Sequence, residues 1–539
     1  MFSARSRPAI IEKLQNGNFD LLVIGGGITG VGIALDAAGR GLKVALVEKQ
    51  DFAAGTSSRS TKLIHGGLRY LKQLEFGLVR EVGHERKTVY HNAPHLVIPE
   101  KMLLPITVGG SFGKASASVG IYTYDWLAGV NRSERRTVLD RSETLKREPL
   151  LKKQGLEAGV VYWEYRSDDA RLVIEVAKTA TEDGAVLLNY CEFSEFIYTS
   201  ERISGVMVKD LKSGRTFEVK AKRTINAAGP WVDRIRSKDH EVKGKRLHLT
   251  KGIHLVFDHS RFPLQQAVYF DVPDGRMIFA IPRDSTTYVG TTDTDYDDGI
   301  ERPKVTQADV DYVLQAANNA FDIEPLTQAD ILSTWAGLRP LIHEDGRSPS
   351  ELSRKDEIFI SEHGLISIAG GKLTGYRKMA ERTVDLALKQ LQVSEGKPFV
   401  LSRSSSRKLS GGSFHSLKAF LSELGQTELN ANELSGLFHR YGSNAIGIIA
   451  AFDKRMDDRT LAILLAELNY CVENESVNEL SDFLIRRTGR LYFEHVQANK
   501  YAEALNNELS ALLQWDMETD ATSLNTYMEE SRDVLNFIS

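Results

Sequence analysis

The feature that most constrains the fold is a strand–turn–helix–strand pattern near the start of the chain. An apolar run at residues 21–24 leads into a glycine-rich turn at 25–27. Small and apolar residues then recur at helical spacing over 28–40, and 43–47 predicts a second buried strand. Such a βαβ unit needs a parallel sheet, so the pattern predicts an α/β fold.

The glycines of this turn have the spacing of a dinucleotide-binding loop. Gly25 permits the tight turn, Gly27 lets the backbone approach a pyrophosphate, and Gly30 lets the helix pack against the strand. Glu48 ends the second strand, where a carboxylate binds ribose hydroxyls and disfavours the 2′-phosphate of NADP. The alternative is a purely structural βαβ unit, but strand, glycines, helix and acid all coincide here. The candidate contacts at the turn and the helix start are Gly25, Gly27, Ile28, Thr29 and Gly30.

Three further segments distinguish FAD from NAD. The stretch TSSRSTK at 56–62 offers hydroxyl and backbone donors, and NAAGPW at 226–231 and AGGKLT at 369–374 are glycine-containing turns after strands. An NAD domain needs only the first turn, whereas a long flavin nucleotide contacted by several segments explains all of them. The sequence therefore predicts FAD. The additional candidate contacts are Glu48, Lys49, Thr56, Ser57, Ser58, Lys62, His65, Gly66, Gly67, Leu68, Ala228, Gly229, Trp231, Gly371, Lys372, Leu373 and Thr374.

The rest of the chain divides into two regions of different pattern. A helix at 171–183, a strand at 185–190, a hairpin over 203–219 and a strand at 224–227 continue the α/β pattern, and short alternating segments over 247–290 predict an antiparallel sheet. A strand at 365–368 and a helix at 376–390 follow. Beyond a Ser/Gly/Arg-rich linker at 402–413, helices are expected at 417–424, 445–452, 461–471 and 502–513.

Composition excludes several functional classes. A net charge of −4 argues against a nucleic-acid binder. The two cysteines, Cys191 and Cys471, form no cluster, which argues against structural zinc, iron–sulfur ligation and a disulfide scaffold, and no metal site is predicted. These observations and the lack of a signal-peptide pattern favour a cytoplasmic protein.

The chain also has no apolar stretch of the length that spans a bilayer. Residues 9–14 predict a short helix after Pro8, which reads as an exposed leader in preference to a membrane anchor. The acidic run at 293–299 lacks the glycine and glutamate of a calcium loop and predicts a turn.

Several segments together resemble the FAD-dependent glycerol-3-phosphate dehydrogenases, within the D-amino-acid-oxidase-like flavoprotein group. The similar segments are VIGGGITGVGIALDAAGRGLKVALVEKQDFAAGTSSRSTKLIHGGLRYL, SDDARLV, INAAGPWVD, TKGIHLVF, VGTTDTDY, WAGLRPL and GGKLTGYRKMAE, spread over the first 395 residues or so. The motif HRYGSNA at 439–445 resembles the C-terminal domain of that family.

The resemblance implies oxidation of sn-glycerol 3-phosphate to dihydroxyacetone phosphate, with a hydride passing from C2 to the flavin N5. It also implies electron transfer to a membrane quinone, peripheral attachment to the inner face of the cell membrane, and a homodimer. Glycerol-3-phosphate oxidases, which produce hydrogen peroxide, are the alternative. They typically carry an insertion that is not seen between TKGIH and WAGLRPL.

The implied fold class is an α/β FAD-binding domain, Rossmann-like and of the glutathione-reductase or D-amino-acid-oxidase type. It is joined to an antiparallel-sheet substrate domain and a C-terminal helical domain. The expected boundaries are 1–100, 168–245 and 350–398 for the discontinuous FAD-binding domain, 101–167 and 246–349 for the substrate-binding domain, and 405–539 for the helical domain.

The resemblance also places candidate substrate contacts. In the family pattern the phosphate is surrounded by Arg69, Tyr70, Arg354 and Lys372, and Arg339 faces the carbinol end. Arginine suits phosphate because its planar fork binds two oxygens. The general base is either His254, whose ordinary pKa suits neutral pH, or a group not yet identified, since a histidine beside a strand is often structural. Arg339 could hold the developing alkoxide by its charge.

Two other classes remain open at this stage. An amino-acid or sarcosine-type flavin oxidase would need a carboxylate clamp, and the number of basic candidates argues against it. A flavin-binding regulator without turnover would bind the cofactor but would not be reduced by the substrate.

Overall fold

The computed structural model describes residues 2–64, 76–110, 136–344 and 356–538. Its strands are β1 (Asn18–Ile24), β2 (Val44–Val47), β3 (Leu63–Ile64), β4 (Ile98–Thr107), β5 (Thr137–Asp140), β6 (Leu156–Arg166), β7 (Val186–Leu188), β8 (Cys191–Thr199), β9 (Arg202–Asp210), β10 (Thr216–Asn226), β11 (Lys245–Asp258), β12 (Ala267–Asp271), β13 (Met277–Arg283), β14 (Thr286–Gly290), β15 (Thr294–Asp295), β16 (Ile331–Glu344), β17 (Glu357–Ile360) and β18 (Ile366–Ala369).

The α-helices within these ranges are α1 (Arg7–Asn16), α2 (Ile28–Gly39), α3 (Phe76–Asn92), α4 (Arg141–Arg147), α5 (Asp169–Glu182), α6 (Val232–Arg236), α7 (Gln307–Ala320), α8 (Tyr376–Glu395), α9 (Leu417–Leu424), α10 (Ala431–Tyr441), α11 (Ala445–Ala450), α12 (Arg459–Asn474), α13 (Arg490–Phe493), α14 (His495–Leu513) and α15 (Met517–Asp533). Among the described residues, no helix is both long enough and apolar enough to cross a membrane.

The first sheet contains the predicted βαβ unit. Its strand order is β17-β18-β10-β1-β2-β7, and the strands from β18 to β7 run parallel. β1 and β2 are almost entirely buried because α2, α5 and α8 cover one face of the sheet and α1 with the β8–β9 hairpin covers the other. Helices α2, α5 and α8 pack together on it through a core that includes Val31, Val173 and Val384. The predicted α/β fold is confirmed.

The second sheet has the order β15-β11-β14-β13-β12-β4-β6-β3, with β16 also paired to β11 and β5 to β6. All its pairs are antiparallel except β12 with β4. The antiparallel sheet expected over 247–290 is therefore present. β3 belongs to this sheet although its residues fall in the segment expected to bind FAD. The domain boundaries stay a prediction.

One expectation about the first sheet was wrong. The segments 216–219 and 224–227 are one continuous strand, β10, whose first half pairs antiparallel with β9 and whose second half pairs parallel with β1. The charged residues between the two segments obscured this, yet Lys220 and Lys222 are exposed on either side of buried Ala221, as alternation in a strand requires. The turn at residue 214 is as predicted, with a positive φ.

The N-terminal helix is not an exposed leader. Ile10, Ile11 and Leu14 are buried in α1 and pack in a core with Phe19 and Leu22. Their spacing places the three apolar side chains on one face of the helix, and the hairpin edge of the first sheet covers that face.

The C-terminal helices share a continuous core with the second sheet. Trp335 and Tyr288 contact Phe493, and Tyr492 also packs against Trp335. Helix α10 was missed although Leu434, Leu437, Phe438 and Tyr441 have helical spacing, because the rest of the segment is polar.

Helix α15 could not be found by hydrophobic period. Its buried residues are Ser523, Tyr527 and Ser531, which are mostly small and polar.

The predicted linker at 402–413 is held against the first sheet's helices by side-chain contacts. Ser402 donates a 2.5 Å hydrogen bond to Asp36, and Arg407 pairs with Asp183 at 2.8 Å.

Eight buried charges join the first sheet to the C-terminal helices. Asp51, which follows β2, accepts hydrogen bonds from Arg487 at 2.6 and 2.9 Å and from Arg486 at 2.6 Å. Glu475 accepts from Arg171 of α5 at 2.5 Å and from Lys178 at 3.1 Å. The other two members are the carboxylates Glu175 and Asp482. The four cations and four anions compensate each other, so none of these charges is buried unpaired.

Burial alone would raise the pKa of Asp51, but the adjacent guanidinium groups of Arg487 and Arg486 lower it to about 2, from 3.8. Because the folded pKa lies below the unfolded one, this carboxylate stabilises the fold at neutral pH. The contribution is lost as the pH falls toward 2.

Replacing Asp51 by Asn should lower the free energy of unfolding by about 3–5 kcal/mol, because two buried arginines lose a counter-charge that they share. Thermal and denaturant unfolding of the FAD-loaded protein would measure it. Asp453→Asn is the matched control, since Asp453 pairs with Arg455 at the surface, where the interaction is screened by water. If Asp51→Asn unfolds at the same temperature as this control, the ion cluster contributes nothing to the fold.

Candidate functional site

A cavity of about 980 Å³ runs between the carboxyl ends of the parallel strands and one face of the second sheet. Ligands of α/β folds bind at this edge of the sheet because the loops after the strands meet there. The predicted turns line this cavity, at residues 25, 27–29, 48–49, 56–57, 228–231 and 371–374. Segments that are far apart in the sequence therefore form one elongated site.

The turn after β1 has the backbone that its glycines imply. Gly25 has φ +113°, and a Cβ there would lie 2.6 Å from the carbonyl oxygen of Ala227. A Cβ at Gly30 would lie 1.9 Å from the carbonyl oxygen of Gly25, so only glycine lets α2 start so close to the strand. The roles expected for these two glycines agree with the geometry.

The start of α2 faces the loop that follows β2. The hydroxyl of Ser57 accepts a 3.0 Å hydrogen bond from the backbone N–H of Ile28, and a Cβ at Gly27 would approach the same hydroxyl to 3.2 Å. Gly27 and Thr29 line the cavity beside this contact. The helix N-terminus and the bare Gly27 backbone thus leave a polar cradle of the kind that a pyrophosphate occupies.

Glu48 lines the cavity at the end of β2. Its carboxylate accepts hydrogen bonds from the backbone N–H groups of Gly26 at 2.6 Å and Gln50 at 2.8 Å, which fix its orientation. Burial raises the pKa of Glu48, and these two hydrogen bonds oppose that rise. An oriented carboxylate at this point suits ribose hydroxyls.

Lys49 and Trp231 form the wall beside Glu48. The Lys49 ammonium lies 4.9 Å from the Trp231 ring centroid, and Glu301 joins them through contacts of 3.8 Å to Lys49 and 3.3 Å to the indole N–H. On the same side, Thr56 donates a 2.7 Å hydrogen bond to the carbonyl of Leu338, which holds the loop against β16.

The turn at 370–374 closes the opposite wall. Gly371 has φ +79°, and a Cβ there would lie 2.5 Å from the Met379 sulfur. Lys372, half-buried, and Leu373 and Thr374 line the cavity just before α8. The family-pattern phosphate contact Lys372 is therefore placed on the same cavity as the predicted cofactor contacts.

The second sheet forms the floor of the cavity at two positions that are occupied by glycine. Gly252 of β11 pairs directly with Gly337 of β16, and both line the cavity. A Cβ at Gly252 would lie 2.2 Å from Arg339 Nη2, and one at Gly337 would lie 2.3 Å from the carbonyl oxygen of Arg59. The bare floor lies between His254 on one side and Arg339 on the other, because residues two apart on a strand share a face.

A row of paired residues crosses five strands beside this floor. Its members, in order from β12 to β16, are Tyr269, Phe279, Gly290, His254 and Trp335. Tyr269 and Phe279 are stacked at 4.2 Å, and His254 is stacked on Trp335 at 4.7 Å with 12° between the rings. A Cβ at Gly290 would lie 2.3 Å from His254 Cδ2, so the histidine ring occupies the space that this glycine leaves.

His254 is 1% exposed and meets the cavity at its edge. Its Nε2 lies 3.0 Å from the hydroxyl of Thr61. Burial lowers the pKa of His254 well below its ordinary 6.5, and the charges of Arg339 and Lys62 lower it further. The imidazole is therefore neutral at physiological pH and can accept a proton.

Arg339 is held with its guanidinium over Gly252. It donates to the Thr292 carbonyl at 3.1 Å, to the Asp293 carboxylate at 3.1 Å and to the Thr291 hydroxyl at 2.9 Å. The acidic run at 293–299 thus contributes an orienting carboxylate to the cavity. Within the described part of the chain, no cluster of side chains suits a metal ion.

Two predicted cofactor contacts lie behind the cavity wall. Lys62 is buried and its ammonium binds Asp169 at 2.6 Å and the carbonyl of Ser58 at 3.0 Å. It therefore anchors the 56–62 loop to the start of α5, which corrects its assignment as a cofactor contact. Ser58 is buried beneath the same loop and does not line the cavity. His65, Gly66, Gly67, Leu68, Arg69, Tyr70 and Arg354 lie outside the described residues.

Sequence reasoning also missed several residues that line the cavity. Thr61, Gly252 and Gly337 were not among the candidate contacts, although Thr61 lies in the TSSRSTK stretch and the two glycines lie in the family segments TKGIHLVF and WAGLRPL. A glycine inside a strand pattern often marks a close approach. At the far end, Cys191, Glu192 and Phe193 line the cavity because β8 starts beside Glu48. The start of that strand could have been found from its position after the third parallel strand.

The cavity fits a flavin dinucleotide. It has a helix N-terminus with a bare glycine, a ribose-oriented carboxylate and an extension onto a flat glycine floor. The fold and site thus define a flavin-dependent oxidoreductase. Residues 20–377 match the family described as FAD dependent oxidoreductase, and residues 402–520 match the C-terminal domain of alpha-glycerophosphate oxidase.

Full-length relatives narrow this class. The aerobic glycerol-3-phosphate dehydrogenase of Bacillus subtilis (strain 168) is 50% identical over 529 residues, covering 96% of this chain and 95% of the relative. That of Staphylococcus haemolyticus (strain JCSC1435) is 51% identical, covering 95% and 94%. The glycerol-3-phosphate dehydrogenase of Bacillus halodurans, solved in complex with FAD, superposes with a TM-score of 0.84 at 43% identity and 99% coverage of both chains. The chain belongs to the FAD-dependent aerobic glycerol-3-phosphate dehydrogenase family, and its cofactor is FAD.

Replacing Gly27 by Val should give colourless protein, because the side chain would fill the cradle beside Ser57. The measurement is the FAD-to-protein ratio after purification. Gly299→Val is the control, since a Cβ at Gly299 meets nothing within 4 Å. Stoichiometric FAD in Gly27→Val would show that the pyrophosphate does not lie against this turn.

Proposed function

We propose that this chain oxidises sn-glycerol 3-phosphate to dihydroxyacetone phosphate and passes the electrons to a membrane quinone. The observation that carries the proposal is the bare floor formed by Gly252 and Gly337, with His254 on one side and Arg339 on the other, in the cavity that also receives the dinucleotide turn. Near-full-length similarity to aerobic glycerol-3-phosphate dehydrogenases supports the choice of substrate.

The residues of the chain divide the chemistry between them. FAD, when bound, supplies the acceptor for the hydride that leaves C2 of the substrate. Arg339 holds the oxygen at C2, where negative charge develops as the hydroxyl proton leaves. His254 is neutral and takes up that proton. Asp293 orients the guanidinium of Arg339 through a 3.1 Å contact with Nη1.

Lys372 supports a phosphate rather than a carboxylate at the far end of the substrate. A phosphate dianion leaves water only where cations and donors replace its hydration shell. Lys372 lines the cavity on the wall opposite the Thr56 loop, and the sequence adds Arg69, Tyr70 and Arg354 to the proposed clamp. This clamp distinguishes the proposed dehydrogenase from amino-acid oxidases of the same fold.

Lys372→Ala should lower kcat/KM for glycerol 3-phosphate by about 30-fold to 1000-fold, which corresponds to the loss of one charge-assisted contact of about 2–4 kcal/mol. With glycerol, which has no phosphate, the loss should be far smaller. Steady-state kinetics with both substrates would measure this, with the helix-surface variant Lys389→Ala as a control. Equal losses for the two substrates would mean that Lys372 supports the flavin or the fold instead.

The acceptor side of the proposal is a quinone in the membrane. Surface attachment to the membrane and a homodimer are both parts of the proposal that come from the family resemblance. A glycerol-3-phosphate oxidase, producing hydrogen peroxide, is the alternative on the same substrate.

Glycerol 3-phosphate added without oxygen should bleach the flavin absorbance, and phosphatidylglycerol vesicles loaded with ubiquinone or menaquinone should reoxidise it. The same vesicles should carry the protein upward in a flotation gradient. Stoichiometric hydrogen peroxide in air, with no need for vesicles, would establish the oxidase instead. A flavin that glycerol 3-phosphate does not bleach would identify a binding protein without turnover.

A further inference from the structure

We propose that the hydroxyl of Thr61 is a catalytic group that relays the substrate proton to His254. This inference rests on the proposed function and names the route of the proton within the same site. Thr61 and His254 both line the cavity, but the His254 side chain reaches it only at its edge and is 1% exposed. The Nδ1 atom of His254 is buried without a partner in the described part of the chain, and its Nε2 lies 3.0 Å from Thr61 Oγ1.

The contacts of His254 therefore leave one polar route by which a proton can reach or leave its ring. Its ring is stacked on Trp335 on one side, and the backbone at Gly290 lies against its Cδ2 edge. A proton that moves between the ring and the cavity must pass through the Thr61 hydroxyl, because this is the only polar atom within hydrogen-bond distance of the imidazole among the described residues. A hydroxyl can fill this role because it donates and accepts at once.

The residues around Thr61 hold it in place. Its carbonyl accepts a 3.1 Å hydrogen bond from the hydroxyl of Tyr288, and the preceding carbonyl, of Ser60, accepts one from the Trp335 indole at 3.1 Å. The next residue, Lys62, is fixed by its ion pair with Asp169. The loop, the stacked indole and the histidine are thus one connected unit, and the relay distance is set by this unit.

The transfer balances as a two-proton step. The substrate hydroxyl gives its proton to Thr61 Oγ1, and Thr61 gives its own proton to Nε2 of His254, which starts as the Nδ1–H tautomer. The C2–H bond breaks with its electron pair, the hydride goes to FAD, and the C2–O bond becomes a carbonyl. The substrate loses one hydride and one proton, and the imidazolium returns its proton to water by the same route after the product leaves.

Two cations face His254 from neighbouring elements. Arg339 from β16 and Lys62 from the loop are the cations, and they pair with Asp293 and Asp169 respectively. Tyr288 from β14 lies with its ring 6.2 Å away. Burial and these cations keep the pKa of His254 low, so the ring is unprotonated before the substrate binds.

The test compares Thr61→Val, which keeps the shape without the hydroxyl, with Thr61→Ser, which keeps the hydroxyl. Flavin reduction at saturating glycerol 3-phosphate is followed anaerobically across pH. Thr61→Val should slow reduction by about 100-fold or more, the usual size of a general-base contribution, and should lose the acid limb that reports His254. Thr61→Ser should lose much less, and the flavin midpoint potential should be the same in both variants.

In the double variant Thr61→Val/His254→Ala, flavin reduction should be no slower than in the slower of the two single variants, because the two groups act in series. Multiplied losses, or Thr61→Val and Thr61→Ser slowed equally, would overturn the relay. If Thr61→Val does not retain FAD, a proton inventory on the wild-type protein tests the relay instead. The rate of flavin reduction is measured as a function of the deuterium content of the solvent, and two protons in flight give a curved dependence. A linear dependence would contradict the proposal. A wild-type flavin that glycerol 3-phosphate does not bleach would contradict the proposed function itself, which is a separate outcome.

Discussion

The buried carboxylate of Asp51 is the interaction on which the arrangement of the site depends. It lies between Glu48 and the Thr56–Ser57 turn in sequence, so it anchors the loop that carries both. Its partners, Arg486 and Arg487, come from the C-terminal helical region. The C-terminal helical region thus supports the cofactor cradle, although none of the described residues that line the cavity comes from that region. The cost of burying these charges is offset because each one has an opposite partner at hydrogen-bond distance.

The C-terminal helices also support the floor of the site. Ser333 on β16 donates to the carbonyl of Tyr492 at 2.5 Å, and Trp335 packs against Tyr492 and Phe493. The indole that stacks on His254 is therefore wedged between the sheet and these helices. Such a support shell keeps the reacting groups in place because each side chain has one packed position. The C-terminal helical region therefore supports the site by packing against the residues that form it.

Local pattern was enough to predict the βαβ unit, the antiparallel sheet and most of the turns that line the cavity. Gly25, Gly30 and Glu48 have roles fixed by backbone geometry close to them in sequence, so their positions could be predicted. Lys62 could not, because its partner Asp169 is more than a hundred residues away and nothing in the loop indicates the pairing. Thr61 is similar, since its significance comes from a histidine that is 193 residues away in the sequence. The positions of these two residues therefore depend on contacts between distant parts of the chain, which local sequence patterns do not indicate.

The row from Tyr269 to Trp335 has a consequence for how the site tolerates change. Its five members come from five strands, and their alignment depends on the hydrogen-bond ladder between those strands. Hairpin turns at the ends of these strands can lengthen without disturbing that alignment, since they lie outside the ladder. One residue inserted within β14 would reverse the faces of its side chains and drive one of them against His254. The lengths of these turns can therefore change without loss of the site, whereas the residue spacing inside the strands cannot.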